Sequence, residues 1–177
     1  MLCYRDGDAG AFDVLYGRHR GGVYRYFRRQ CRDAAVAEEL FQDVWMNLIR
    51  ARAAYTVQAK FSTYLYRLAH NRLVDHYRQR RPTAMGYGEV DGDVLESIPD
   101  EREQSAEGLI DLKQQAARLM ALIAELPESQ REAFLLQQEG GLSIEDIASA
   151  TSVTRETAKS RLRYALAKLR QGMAPWR

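Results

Sequence analysis

Between residues 55 and 81, aromatic rings alternate with cations. Tyr55, Phe61, Tyr64, Tyr66, His70 and Tyr77 are interleaved with Lys60, Arg67, Arg72, Arg78, Arg80 and Arg81. Flat rings offer faces on which unpaired bases stack, and lysine or arginine neutralises the backbone that carries those bases. The stretch has the chemistry of a single-stranded nucleic-acid site. Some of these rings must also be core: at helical spacing, Tyr64 falls with Leu65 and Leu68. Phe61, in the expected loop before the helix, is the hardest to explain as core.

A second set of residues lies near the other end. Ser143 precedes Ile144-Glu145-Asp146, a capping box with Asp in place of the commoner Glu. A short helix over 144–150 would bury Ile144, Ile147 and Ala148. Thr151-Ser152-Val153 then reads as a tight turn with Val153 plugging the angle, and Thr154 caps a second helix to about Arg170. Ala158, Leu162, Ala165 and Leu169 form its inward stripe. Arg155, Lys159 and Arg163 recur at i+4 beside it, with Glu156 and Ser160 on the same outward side. This is the layout of a helix-turn-helix, whose second helix sets basic and short polar side chains into a major groove.

Catalytic arrangements are missing. His70 and His76 are six residues apart and point to different sides of a helix, so no shared metal is expected. There is no Ser/His/Asp set and no phosphate-cradling glycine loop, and the acids of 89–107 lie in a segment without rigid geometry. No enzyme activity, no metal and no cofactor is expected. Cys3 and Cys31 form no CxxC pair and read as two reduced thiols.

The elements that must position these residues are helical almost throughout. Phe12, Leu15, Tyr16, Val23 and Phe27 recur at helical spacing over 9–30, where Gly21-Gly22 marks a possible bend. Over Ala34–Arg52 the pairs Leu40/Phe41, Val44/Trp45 and Leu48/Ile49 repeat every four residues without Gly or Pro, which predicts a strong helix. Residues 54–61 break the period and predict a loop. Ser62 or Thr63 is the expected cap of a helix over 63–80, ended by Arg81-Pro82. A stripe of Leu109, Leu112, Ala116, Leu119, Ile123 and Leu126 predicts a further helix from about Gly108. Pro127 opens the next, and Gly140-Gly141 closes it.

Charge divides the chain in the same places. The 177 residues carry a net charge of +2. Residues 1–81 hold 15 Lys/Arg against 8 Asp/Glu, residues 82–107 one against 8, and residues 108–177 ten against 8. The basic block seeks a polyanion, although a merely solvated surface would also carry such charge. The acidic stretch, with three glycines and two prolines, reads as a flexible linker. The expected fold is therefore all-α: two small helical domains joined by a flexible acidic linker, the C-terminal one containing a helix-turn-helix. At 46% hydrophobic and 28% charged, the composition supports packed cores. No apolar run is long enough to span a membrane, and Met1-Leu2-Cys3-Tyr4-Arg5-Asp6 lacks the apolar core of a signal peptide, so a cytoplasmic location is expected.

Three blocks carry a family resemblance. FSTYLYRLAHNRLVDHYRQRR over 61–81 resembles the promoter-melting segment of extracytoplasmic-function (ECF) sigma factors of the sigma-70 family, F-x-x-W-L-Y-R-I-A-x-N followed by D and an arginine run. AEELFQDVW over 37–45 resembles their core-polymerase helix. LPESQREAF over 126–134, GLSIEDIA over 141–148 and TAKSRL over 157–162 resemble their C-terminal domain. The likeness spans about residues 9–170. Tyr64 replaces the usual Trp, Ser152 stands where many members have Gly, and Tyr164 where Arg is common.

The resemblance implies a promoter-recognition subunit of RNA polymerase that assists promoter melting. Residues 1–81 would be sigma region 2, 82–107 the linker and 108–177 sigma region 4. Glu39, Gln42, Asp43 and Trp45 would face the beta-prime clamp helices of core polymerase, and the C-terminal domain the beta flap. The loop carrying Tyr55, Lys60, Phe61 and Ser62 would capture a flipped base of the single-stranded −10 element, with Asn71 beside it and Arg78, Arg80 and Arg81 on the backbone. Arg155, Glu156, Lys159, Ser160 and Arg163 would meet the −35 duplex. An anti-sigma factor is a further implied partner. Two other readings remain at this level: a helix-turn-helix regulator that is no polymerase subunit, which leaves 61–81 unused, and a helical adaptor with no salt-dependent DNA binding.

Overall fold

The computed structural model describes residues 1–80 and 106–174, with backbone alone at residue 80 and across 106–111. Among these residues there are eight α-helices and no strand. The helices are α1 Leu2–Arg5, α2 Gly10–Gln30, α3 Ala34–Arg50, α4 Phe61–Arg80, α5 Ala106–Ala124, α6 Glu128–Gly140, α7 Ile144–Thr151 and α8 Arg155–Met173. The expected linker lies outside the described residues, except for the two positions that open α5.

The N-terminal unit is built on α2, α3 and α4. Asp33 caps α3, its carboxylate accepting from the Ala35 N–H at 2.8 Å. The four-residue repeat of α3 buries Leu40, Val44 and Leu48 completely. They meet Val23, Tyr26 and Phe27 of α2 and Leu65, Tyr66, Ala69 and Leu73 of α4 in one apolar core. Each such side chain contributes about 1.5–3 kcal/mol on burial. The short α1, which the periodicity did not predict, buries Tyr4 against Phe12 with ring centroids 5.2 Å apart.

In the C-terminal unit, local signals act as expected. Gly141 takes a left-handed conformation (φ 62°), and its N–H bonds the Gln137 carbonyl at 3.0 Å, which ends α6. Ser143 and Asp146 form the full capping box of α7. Thr154 caps α8 by accepting from the Thr157 N–H at 3.2 Å. The turn between α7 and α8 bends at Ser152 (φ 55°), and Val153 is half-buried against the core.

Two expectations about the N-terminal unit are corrected. Gly21-Gly22 does not break α2, which runs on to Gln30. Gly22 instead lets α6 approach: a β-carbon there would lie 2.7 Å from the Glu139 carbonyl oxygen and 2.7 Å from the Tyr66 hydroxyl. The helix α4 begins at Phe61, so neither Ser62 nor Thr63 caps it, and Thr63 is buried within its first turn. The two units also pack on each other. Helix α6 packs on α2, α7 packs on α4, and the apolar core is continuous through both.

Candidate nucleic-acid and polymerase interfaces

Helix α4 carries the first candidate surface. Tyr64, Arg67, Asn71 and Arg78 follow one another at spacings of three, four and seven residues and share one face. Asn71 and Arg78 are exposed, and Tyr64 and Arg67 are half-buried. Arg67 lies over the Tyr64 ring, 5.9 Å from its centroid. Burial raises the Tyr64 hydroxyl above its ordinary range, so the ring stays neutral at physiological pH. Tyr55 is buried rather than displayed, its ring edge-on to Tyr64 with centroids 5.1 Å apart. It serves as the floor of a recess lined also by Thr56, Gln58, Ala59, Thr63 and Arg67.

The remaining residues expected to hold the single strand are spread around that recess. Phe61 is half-buried at the head of α4, its ring edge-on to His19 at 5.2 Å. Burial and the neighbouring Arg18 hold the His19 imidazole below its ordinary value, which keeps it neutral. Ser62 is half-buried beside Phe61, and Lys60 is exposed. The side chain of Arg80 and all of Arg81 lie outside the described residues. The resemblance gives Tyr64 and Arg67 no role, and the helical stripe alone assigns Tyr64 to the core, yet both share this face with Asn71. Their spacing from Asn71 was the available signal.

The second surface lies on α3. Glu39, Gln42 and Met46 are exposed along one face, with Asp43 half-exposed beside them. The Arg72 guanidinium of α4 donates from Nε to Asp43 at 2.7 Å and holds that carboxylate in place. Met46, 45% exposed, gives this acidic face an apolar centre that motif reading did not supply. Trp45 is a correction. It is 4% exposed and packs edge-on against Tyr16 at 4.9 Å and Phe12 at 6.0 Å, so it cannot meet a partner. Its position on the four-residue apolar repeat explains this.

The third surface is α8. Arg155, Glu156, Lys159 and Arg163 are exposed, and Ser160 is half-buried behind them. Arg155 donates from Nε to Glu145 of α7 at 2.6 Å, and Lys159 lies 3.9 Å from Glu156. The Arg155 interaction holds the Glu145 carboxyl below its ordinary value. Arg163 lies over the ring of its neighbour Tyr164, 5.0 Å from the centroid, and Tyr164 is 52% exposed. Tyr164 thus belongs to the outward surface, though it was not among the expected readers. An open groove bounded by Ser129 and Gln130 of α6 runs along this side of α8.

The described residues thus present an aromatic-cationic recess beside α4 and an exposed basic row on α8, the second helix of the helix-turn-helix. Comparison with known proteins gives the family. The family models Sigma-70 region 2 and Sigma-70, region 4 match residues 15–83 and 116–169. The ECF RNA polymerase sigma factor RpoE of Cereibacter sphaeroides is 31% identical, covering 98% of this chain and 93% of its own length. The RNA polymerase sigma factor CarQ of Myxococcus xanthus is 28% identical, covering 97% and 94%. In fold, the chain is similar to the sigma factor RpoE of Bartonella quintana, seen in complex with the anti-sigma factor NepR. The TM-score is 0.72 at 17% identity, over 93% of this chain and 97% of that one. The chain belongs to the ECF RNA polymerase sigma factors of the sigma-70 family. No described helix is long and apolar enough to cross a membrane.

Proposed function

We propose that this sigma factor divides promoter recognition between the two surfaces as follows. Residues 1–81 act as region 2 and 108–177 as region 4, with 82–107 as the connector. The α3 face of Glu39, Gln42, Asp43 and Met46 docks on the beta-prime clamp helices of core polymerase, and the C-terminal unit meets the beta flap. The recess lined by Tyr55, Tyr64 and Arg67, with Asn71 farther along the same face of α4, accepts an unstacked −10 base. Lys60, Phe61, Ser62, Arg78, Arg80 and Arg81 line the path of the strand. Unstacking a base costs a few kcal/mol, and stacking in a fitted pocket offsets it. Arg155, Glu156, Lys159, Ser160 and Arg163 contact the −35 duplex.

The protein acts without catalysis of its own, in the cytoplasm where polymerase is, and an anti-sigma factor holds it in reserve. The observation that carries this reading is positional. Helices α4 and α8, each with an outward cationic and polar row, lie one in each matched sigma region, α4 wholly within the first and α8 within the second up to residue 169.

Run-off transcription with core polymerase on genomic fragments tests it. Promoter-specific transcripts that require both protein and core are expected, and none on any fragment would reject the reading. The double variant Glu39→Lys, Asp43→Lys should lose core binding by more than about tenfold, since reversed charges replace a face complementary to a partner. It should keep its affinity for −35 duplex. Unchanged capture of core would remove the α3 face from the interface.

A further inference from the structure

Helix α2 supplies a ring to the head of α4, and that ring belongs to a histidine. The His19 imidazole meets the Phe61 ring with 5.2 Å between centroids and 63° between planes. Rings in this edge-on arrangement attract each other beyond the area they bury. The contact is the first of three. Phe61 stands 6.5 Å from Tyr64, and Tyr64 stands edge-on to Tyr55 at 5.1 Å. Four rings from α2, α4 and the loop before α4 therefore follow one another: His19, Phe61, Tyr64 and Tyr55.

Cations accompany this run. Arg18 precedes His19 in the chain, Lys60 precedes Phe61, and both are exposed. Arg67 lies over the Tyr64 ring. A single strand presents one phosphate for every base, so a surface that tracks it needs a cation for each ring on which a base is laid. The alternation of rings and cations seen over residues 55–81 thus continues onto α2, with His19 as the added ring and Arg18 as the added cation.

The place of His19 on its helix is unusual for a polar side chain. Leu15 and Val23, four residues to either side, are buried in the core, as is Tyr26 one turn further on. Burial first, and then the neighbouring Arg18 guanidinium, hold the imidazole below its ordinary value and keep it uncharged. His19 and Phe61 are both half-buried, so each ring is packed on the protein while part of it stays open to solvent. A ring that receives a base must be reachable and already oriented, because orienting it at the moment of binding costs affinity.

We infer that the single-strand surface extends from α4 onto α2: His19 is a positioning residue that holds the Phe61 ring ready for a base of the displaced −10 strand, and Arg18 meets a phosphate of the same strand. The inference rests on the assignment of Phe61 to that strand. His19 acts through Phe61 and not on the base, so a flat ring is what the position requires. An alkyl side chain of similar bulk fills the space without supplying the edge-on contact.

Holoenzyme assembled from core polymerase and the full chain tests this. The probe is a labelled fork DNA whose non-template −10 strand is unpaired, taken from a promoter the protein transcribes, and fluorescence anisotropy is read over a series of salt concentrations. His19→Leu should weaken fork binding about fivefold, and His19→Phe should bring it back to within about twofold of wild type. Arg18→Gln, at an exposed position that no core depends on, should weaken binding and lower the salt slope by about 0.7, the share of one phosphate on a single strand.

His19→Leu binding the fork as tightly as wild type would overturn the positioning role. So would His19→Phe remaining as weak as His19→Leu, because a ring would then not be what matters. A His19→Leu chain that no longer captures core would also count against it, since the loss would lie in the fold. An unchanged salt slope in Arg18→Gln would take α2 out of the path of the strand. Phe61→Ala separates these outcomes from a failure of the site itself. If it weakens fork binding while the α2 variants do not, the extension alone falls. If Phe61→Ala binds the fork as wild type does, the assignment of Phe61 is rejected, and the inference with it.

Discussion

Helices α4 and α8 are similar in length, at 20 and 19 residues, and both are rich in arginine. They present that charge in opposite ways. On α4 the cations are set against aromatic faces or a carboxylate: Arg67 over Tyr64, Arg72 on Asp43. Tyr64 and Arg67 of its polar row line a recess to which α7 contributes Ser149. On α8 the cations stand on a ridge, tied to nearby acids at exposed positions, as Arg155 is to Glu145 and Lys159 to Glu156. Exposed pairs of this kind are worth about 0.2–1 kcal/mol. A phosphate can displace them at little cost. The Thr63–Asp146 contact is different, since it cannot be given up unless α7 moves. A duplex reader needs a ridge with nothing in front of it, whereas a single-strand captor needs a concavity, and a concavity can be filled.

The largest test asks whether the two helices belong to one folding unit. Leu136 of α6 is fully buried in the continuous core. Leu136→Ala should cost about 3 kcal/mol through lost transfer energy and the cavity left behind. Trp45 lies in the N-terminal core, so in a Trp176→Phe background its fluorescence follows that unit alone. With a shared core, the Trp45 transition and the loss of helical circular dichroism should shift together. A Trp45 transition unmoved by Leu136→Ala would separate the units energetically and break the comparison at its root.

The next test separates the two surfaces by substrate. Arg163→Ala should weaken binding to −35 duplex by about 1–3 kcal/mol if it reads a base edge. If it only neutralises a phosphate, the loss should be uniform across sequences and the salt slope should fall by about one. Asn71→Ala should leave duplex binding unchanged and reduce affinity for the exposed −10 strand. Equal losses on duplex from both variants would mean that ridge and recess do not divide the labour.

The parts of this arrangement that were legible in the sequence are those set by near neighbours. The Ser143–Asp146 box, the Thr154 cap and the Gly141 stop each depend on groups within a few residues, and each is where the spacing puts it. The all-helical fold follows from the same local periods. Trp45 was legible and was misplaced by resemblance: its apolar repeat with Leu40/Phe41 and Leu48 already put it inward. Thr63 and Gly22 were not legible. The hydroxyl of Thr63 is buried because Asp146 reaches it from 83 residues away, so a local reading could see only a candidate cap. Gly22 reads as a helix breaker until the Glu139 backbone is known to lie against it. Tyr55 shows the same limit from the other side, since an aromatic in a loop can be floor as well as platform.

A smaller effect sharpens the contrast between the filled recess and the open ridge. Burial pushes the Asp146 carboxyl up, but hydrogen bonds from Thr63 and Ser143, with Lys60 nearby, outweigh it and leave the group below its ordinary value. A carboxyl depressed by folding stabilises the fold fully above its unfolded-state value, near 4, and loses that contribution as pH falls through the folded one. Wild type should therefore lose stability relative to Asp146→Asn as pH drops below about 4. Chemical denaturation at a series of pH values measures this, and parallel curves for the two proteins would show that Asp146 makes no charge-dependent contact with α4.

The smallest effect concerns the bend that orients the ridge. Ser152 holds φ 55° and ψ 41°, a left-handed conformation that a residue with a β-carbon adopts at a cost of about 1 kcal/mol. Val153 follows it with an N–H to the Ala148 carbonyl at 3.1 Å, so the bend itself is fixed by backbone bonding. Ser152→Gly removes the strain but adds backbone entropy to the unfolded chain, which takes back part of the gain. The net should be a stabilisation of about 0.5 kcal/mol, with duplex affinity unchanged because the α8 ridge keeps its orientation. Urea denaturation gives the first quantity and anisotropy on −35 duplex the second. A loss of duplex affinity in Ser152→Gly would place Ser152 itself on the DNA and extend the ridge from α8 into the turn.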